Sequence, residues 1–306
     1  MPGRVLVALI VSLALASAAS AADLPVQPAP STELLLIDYR AHDGVIRPAW
    51  LMLPADYHGQ RIPLVISPHG RGVDESDNAL LWGDLPGEGD FAVIDPGGEG
   101  RRLHWYSWGA PGQIADLARM PAIAREHGVN VNLHRVYAFG GSMGGQETLL
   151  LVAKHPHLLA GAAAFDPATD MARRYYDFAA LPNGRELQQL ARIELGGTPE
   201  QVPLAYARRS PDHYERAIER SGVPLQLFWS TRDRVIRDQV SETYALASAL
   251  THADPDIRLW DFRGEWSHTA EMRWNRRLPR ALARFGLFPW RDVRRPTPPT
   301  PSEQRA

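Results

Sequence analysis

Val136-Tyr137-Ala138-Phe139-Gly140-Gly141-Ser142-Met143-Gly144-Gly145 is the stretch on which the reading of the whole chain turns. A short apolar run leads into G-x-S-x-G, and a segment of helical character, Gln146 to Lys154, follows. Strand, tight turn and helix in that order form an elbow that holds one serine at its apex. The glycines have a steric task. The serine backbone is strained, and strand and helix approach too closely for side chains at Gly140 and Gly144. The helix N-terminus would turn its free N–H groups and the positive end of its dipole towards Ser142. The bland alternative is a glycine-rich turn with no chemistry.

Outward from the elbow, strands alternate with helices. Upstream, Glu33–Tyr39 and Val45–Leu53 read as a hairpin around Ala41-His42-Asp43-Gly44. Pro63–Ser67 and Phe91–Asp95 are short buried strands, and Ile114–His127 is a helix stopped by Gly128. Downstream, Leu159–Phe165 is strand-like. Residues 166–222 form a charged helical insertion broken by Pro182-Asn183-Gly184, Gly196-Gly197 and Pro211. The sheet resumes at Leu225–Ser230. A helix over Val240–Leu250, a last strand at Ile257–Phe262 and a closing helix over Thr269–Phe285 complete the pattern. This predicts an α/β fold: a mostly parallel, doubly wound sheet with an antiparallel N-terminal hairpin. Ligands on such sheets bind beyond the C-terminal ends of the strands.

Composition narrows the class. The 306 residues are 44% hydrophobic and 22% charged, and the formal net charge is −2. That balance fits a globular domain and gives no reason to expect nucleic acid as a partner. The absence of cysteine excludes thiol catalysis and disulfides. Arg4, the apolar run Val5–Ala16 and Ala19-Ser20-Ala21 read as a cleaved signal peptide over residues 1–21. The chain is therefore expected to be secreted or periplasmic, with no membrane span after cleavage. Residues 22–32 read as a Pro-rich linker, 33–290 as the catalytic domain and 291–306 as a Pro-rich tail.

A serine needs a base to take its proton, and the base needs an acid to fix its tautomer. In folds with this elbow the chain order is serine, acid, histidine. Asp233 follows the strand Leu225–Ser230, 91 residues after Ser142, and His268 follows the last strand, 35 residues further on. A loop ion pair with Arg232 or Arg234 is the alternative for Asp233. Asp166 is the second choice of acid, and its more natural role is to cap the insertion. Glu265 stands too near His268 in sequence to be the first choice. The second requirement is two N–H groups aimed at the developing oxyanion. Met143 would supply one. The loop Pro68-His69-Gly70-Arg71-Gly72 would supply the other, from Arg71 or alternatively Gly70, with His69 orienting the loop. Trp105, Trp108 and Trp266 are candidates for binding an apolar or ring-bearing substrate, with core packing as the alternative. This chemistry requires no metal and no cofactor.

Pro68-His69-Gly70, the elbow Gly140–Gly145, Asp233 with Val235, and His268 together resemble the α/β-hydrolase superfamily. Within it, the chain resembles secreted esterase-like members and the catalytic domain of the prolyl oligopeptidase family. The stretch Gly196-Gly197-Thr198-Pro199 to Arg209-Ser210-Pro211 is similar to that family's insertion before the acid strand. The resemblance implies a serine hydrolase acting on a small-molecule ester or a short peptide; the ester is favoured because no stretch of the sequence reads as a subsite for a peptide chain. It covers about Glu33 to Phe288 and no motif in it selects a substrate. Trp266-Ser267-His268 departs from the commoner glycine-histidine pair. A serine peptidase, or a relative that keeps the fold only to bind, are the competing expectations.

Overall fold

The computed structural model describes residues 31–297. The stretch 1–21 expected to be a signal peptide, nearly all of the expected linker at 22–32 and the end of the Pro-rich stretch 291–306 lie outside the described residues. Eight strands form one sheet among them, in the spatial order β1-β2-β4-β3-β5-β6-β7-β8. The strands are β1 (Thr32–Arg40), β2 (Ile46–Pro54), β3 (Ile62–Ile66), β4 (Ala92–Pro96), β5 (Val131–Gly141), β6 (Gly161–Phe165), β7 (Leu225–Ser230) and β8 (Leu259–Gly264). β1 and β2 pair antiparallel, β2 meets β4 antiparallel, and the other neighbours are parallel. The hairpin turn has Gly44 at φ 84°, a conformation open to glycine.

The central strands are buried on both sides, so their sequences are continuous apolar runs rather than alternations. β6 is Gly-Ala-Ala-Ala-Phe, a weak strand former by propensity, and packing overrides that preference. A Cβ on Gly161 would stand 2.8 Å from the Phe285 ring, so a small residue is required there.

The helices are α1 (Glu75–Trp82), α2 (Leu85–Gly89), α3 (Pro111–Glu126), α4 (Met143–Lys154), α5 (Met171–Asp177), α6 (Gly184–Leu195), α7 (Pro203–Ala207), α8 (Glu215–Glu219), α9 (Ala245–Ala253) and α10 (Leu278–Arg284). Two apolar layers flank the sheet. One joins it to α3, α4 and α9 through Ile114, Leu117, Leu149, Leu150 and Leu246. The other joins it to α1, α2 and α10 through Trp82, Leu85, Leu278 and Leu282. A third cluster, built on Met143, Trp108, Phe178, Leu187 and Tyr206, binds the segment between β6 and β7 to the start of α4.

That segment is also held by a buried charge. Glu194, at the end of α6, accepts the amides of Arg101 (2.6 Å), Arg102 (2.7 Å) and Leu103 (3.2 Å), and pairs with Arg209 at 3.0 Å. Arg209 donates in turn to the Ser107 carbonyl at 2.6 Å. No described helix is long and apolar enough to cross a membrane.

Residues 73–90, where no element is expected from the sequence, carry α1 and α2; α1 is set by Asp74, whose carboxylate accepts the amides of Ser76 and Asp77. Two expected helices differ from those observed. The closing helix is only Leu278–Arg284, because Thr269 sits at φ 56° and its amide bonds to Asp166 rather than to a helical carbonyl. Residues 269–277 are turns. The helix after β7 opens with a wide π turn, Val240–Tyr244, before α9.

Candidate active site

β5 ends and α4 begins around Ser142, whose φ of 56° and ψ of −119° lie in the left-handed half of the map, costly for any residue with a side chain. The strain is held by packing. A Cβ at Gly140 would stand 2.2 Å from the Gly144 carbonyl oxygen, and one at Gly144 would stand 2.0 Å from the Pro68 oxygen. The Ser142 amide donates to Phe165 on β6 at 2.9 Å, and its carbonyl accepts from Gln146 at 3.0 Å. Met143 is the first residue of α4, so its amide has no intrahelical acceptor.

The neighbouring strand β3 delivers the loop from Pro68 to Gly72. His69 is 1% exposed and bridges two peptides. Its Nε2 accepts the Gly98 amide at 3.0 Å, so its Nδ1 carries the proton and donates to the Gly70 carbonyl at 2.7 Å. Burial lowers its pKa, which keeps it neutral. The peptide joining Gly70 to Arg71 is trans, as are all described peptides. Its N–H therefore points opposite to the carbonyl that His69 holds. His69 thus fixes the direction of the Arg71 amide, and Gly70 and Arg71 both line the cavity over Ser142.

β7 and β8 deliver Asp233 and His268, the candidate acid and base. His268 Nδ1 lies 2.7 Å from Asp233 Oδ2. Asp233 Oδ1 accepts the amides of Val235 (2.8 Å) and Ile236 (2.9 Å), and Gln239 donates to Oδ2 at 3.1 Å. Burial pushes this carboxyl up, but the charge and hydrogen bond of His268 and the donors from Ile236 and Gln239 outweigh it and hold the pKa below its ordinary value. Arg232 does not engage Asp233; it pairs with Glu265 at 2.9 Å on the surface. That places Glu265 outside the site.

Ser142 and His268 share the wall of one cavity of about 440 Å³, with Arg71, Val235, Thr269 and Met272. With Nδ1 tied to Asp233, the nitrogen left for chemistry is Nε2.

Asp166 is not the cap of the insertion. Asp170 caps α5 by accepting the amides of Ala172 and Arg173. Asp166 is fully buried at φ 42°, and its Oδ2 accepts the Trp266 indole N–H (2.9 Å) and the Thr269 amide (2.7 Å). It therefore shapes the loop that carries His268. One ligating atom each from Asp166, Asp233 and His268 lie within 4.8 Å of one another. The hydrogen bonds just described already occupy the Oδ2 atoms and the histidine Nδ1. Burial, and then the charge of Asp233, push the Asp166 carboxyl well above its usual range. Its position directly after β6 was the sequence signal for a place at the site. The role of Gln239 had no such signal.

The three tryptophans are elsewhere. Trp108 is 2% exposed in the cluster with Phe178, Trp266 is 8% exposed beside the loop of His268, and Trp105 is an exposed ring tilted against His104 with centroids 4.3 Å apart. None lines the cavity of Ser142, whose apolar wall comes from Val73, Leu81, Val235 and Met272.

The sheet order and the helices on both faces are those of the α/β-hydrolase fold. Residues 91–285 match the prolyl oligopeptidase family of peptidases, and the chain belongs to that family. It is 24% identical over 156 residues to an uncharacterized peptidase, YtmA, of Bacillus subtilis, covering 51% of this chain and 56% of that one. Among solved structures it is similar to a puromycin-hydrolyzing peptidase of Mycobacterium tuberculosis, with TM-score 0.65, 20% identity, and coverage of 87% of this chain and 42% of that one. It is also similar to a fungal esterase from Rhizomucor miehei, with TM-score 0.61, 17% identity, and coverage of 79% and 78%. The chain thus spans a little over half the length of the curated relative it matches.

Proposed function

We propose that the chain is an exported serine hydrolase that cleaves an acyl bond, a carboxylic ester in preference to a peptide. The observation that carries this reading is the His268–Asp233 pair at 2.7 Å, facing a strained Ser142 across one cavity. Ser142 Oγ attacks the carbonyl while His268 Nε2 takes its proton. Asp233 holds the imidazole in the tautomer with Nδ1 protonated and stabilises the imidazolium. The amides of Met143 and Arg71 receive the oxyanion. His268 then gives its proton to the leaving group, and water, activated by the same base, releases the acyl group and restores Ser142. Export rests on the leader at residues 1–21. Family membership favours a second reading, a peptidase acting on short peptides.

A fluorophosphonate probe tests the reading. We expect one label on the wild-type protein and none on Ser142→Ala; an unlabelled wild type would sink the proposal. Comparing 4-nitrophenyl esters with aminoacyl and prolyl nitroanilides separates the two substrate classes. A strong preference for the anilides would overturn the ester assignment.

A further inference from the structure

Phe178, just beyond α5, carries two guanidinium groups. The Arg174 Cζ lies 4.6 Å from its ring centroid and the Arg71 Cζ lies 5.6 Å from it. Arg71 lines the cavity that holds Ser142 and His268. Arg174 is 3% exposed, and both its Nη1 and Nη2 are buried without a hydrogen-bond partner. Neither guanidinium makes an ion pair among the described residues.

The nearby acids make no hydrogen bond to Arg174, although Glu242 Oε1 and Asp177 Oδ2 are themselves buried without a partner. Glu242, Asp177 and Asp233 act on Arg174 only through space. Glu242 Oε2 takes the amides of Thr169 and Asp170. Asp233 is committed to His268 and Gln239. Asp77, also on the cavity wall, is an exposed residue of α1 with no ion pair to Arg71.

Burying a guanidinium whose Nη donors go unbonded is costly even with the charges of Glu242, Asp177 and Asp233 nearby, and setting a second one against the same ring raises that cost. Burial lowers the pKa of both groups, and the charge of Arg71 also contributes to bringing Arg174 down to about 10. Both remain cationic at neutral pH. A ring face offsets part of the cost, but it cannot accept the N–H donors of a planar fork. What matches two such forks is a carboxylate.

We propose that Arg71 and Arg174 form a carboxylate-binding subsite of the Ser142 cavity, and that the natural substrate is an acyl compound carrying a free carboxylate close to its scissile bond. This rests on the hydrolase reading and deepens it. Arg71 belongs to the same loop whose amide faces the oxyanion, so an anion held by its side chain also fixes the scissile carbonyl against that amide. The carboxylate can stand on the acyl side, as in a dicarboxylic acid monoester, or on the leaving group.

Two matched substrate pairs distinguish these sources. The first is 4-nitrophenyl hydrogen adipate against its methyl ester, and the second is 4-acetoxybenzoate against methyl 4-acetoxybenzoate. In one pair the charged member should have a kcat/KM at least tenfold higher than the neutral member. That ratio should fall towards one or below in Arg71→Met and in Arg174→Met. Calorimetry on Ser142→Ala, which needs no turnover, should show adipate or benzoate binding that is lost on adding Arg174→Met. Equal rates within both pairs, with the neutral esters well hydrolysed, would overturn the subsite and leave the hydrolase standing. A charge preference undiminished in both arginine variants would overturn it as well. Failure of the hydrolase reading itself shows separately, as absence of fluorophosphonate labelling.

Discussion

Two buried carboxylates, Asp166 and Asp233, lie against the loop of His268, and their surroundings divide their roles. Asp233 receives two amides, an amide side chain and the imidazole, so it stays ionised. Asp166 has one oxygen without a partner and feels the charge of Asp233, so it holds its proton to a higher pH. The substitutions should therefore separate. Asp233→Asn should lower kcat by roughly ten-thousand-fold, because the imidazole tautomer is lost. Asp166→Asn keeps an acceptor for Trp266 and Thr269 and, because Asp166 already holds its proton to a higher pH, changes the local charge little, so its kcat/KM should stay within about tenfold of wild type. Steady-state hydrolysis of one 4-nitrophenyl ester by both variants checks this, and an Asp166→Asn as inactive as Asp233→Asn would make Asp166 the acid. The placement of Ser142, Asp233 and His268 after β5, β7 and β8 was legible in the sequence because each follows a strand-like apolar run. The use of Asp166 was not, because Trp266 and Thr269 are 100 and 103 residues away from it.

At the scale of elements, the site is made by three loops at the ends of β3, β5 and β7, together with the turn after β8. Because β5 lies beside β3, the elbow and the loop from Pro68 to Gly72 are pressed together, to the point that Gly144 has no room for a Cβ against Pro68. The direction of the Arg71 amide then depends on His69. His69→Ala would release the Gly70 carbonyl and let that peptide rotate. We expect kcat to fall by about 10- to 100-fold, less than deleting a donor outright, with KM little changed. Fluorophosphonate labelling should persist, more slowly. Normal kcat in this variant would remove His69 from the mechanism. Glycine spacing and the strand–turn–helix pattern announced the elbow, since those constraints are local. The closing helix was misread because Thr269 spends its amide on Asp166, a contact that helical periodicity does not register.

At the scale of the molecule, acids are buried in several places. Glu147, on α4, is held by Ser107 and by the amide of Gly109, and burial raises its pKa to about 7. Glu242 is raised to about 7 for the same first reason, and Asp95 and Asp166 shift upward too. Such groups bind protons in the folded state that the unfolded chain has already released. For Glu147 and Glu242 folding stability therefore falls as pH rises from about 4.5 to about 7, by up to ~3 kcal/mol for each, and Asp95 and Asp166 act in the same sense. The depressed pKa of Asp233 acts in the opposite sense and only at lower pH. Glu147→Gln should flatten the fall between pH 5 and 7 and raise stability at pH 8. Urea denaturation across that range measures it, and an unchanged slope would show that Glu147 ionises in the folded state as it does in the unfolded chain.

The sequence by itself determined the alternation of strands and helices, the antiparallel hairpin, the elbow around Ser142 and the chain order of Asp233 and His268. Those features depend on hydrophobic period, on glycine sterics and on connections that place strand ends along one rim. Only the tertiary structure decided which polar groups would lose their water together. It set Asp166 under the base loop, closed Glu194 over the amides of Arg101, Arg102 and Leu103, moved Trp108 and Trp266 into the core, and put Arg71 and Arg174 on one phenylalanine ring. The physical reason is that desolvation and pairing depend on neighbours a hundred residues away, and no local pattern encodes them.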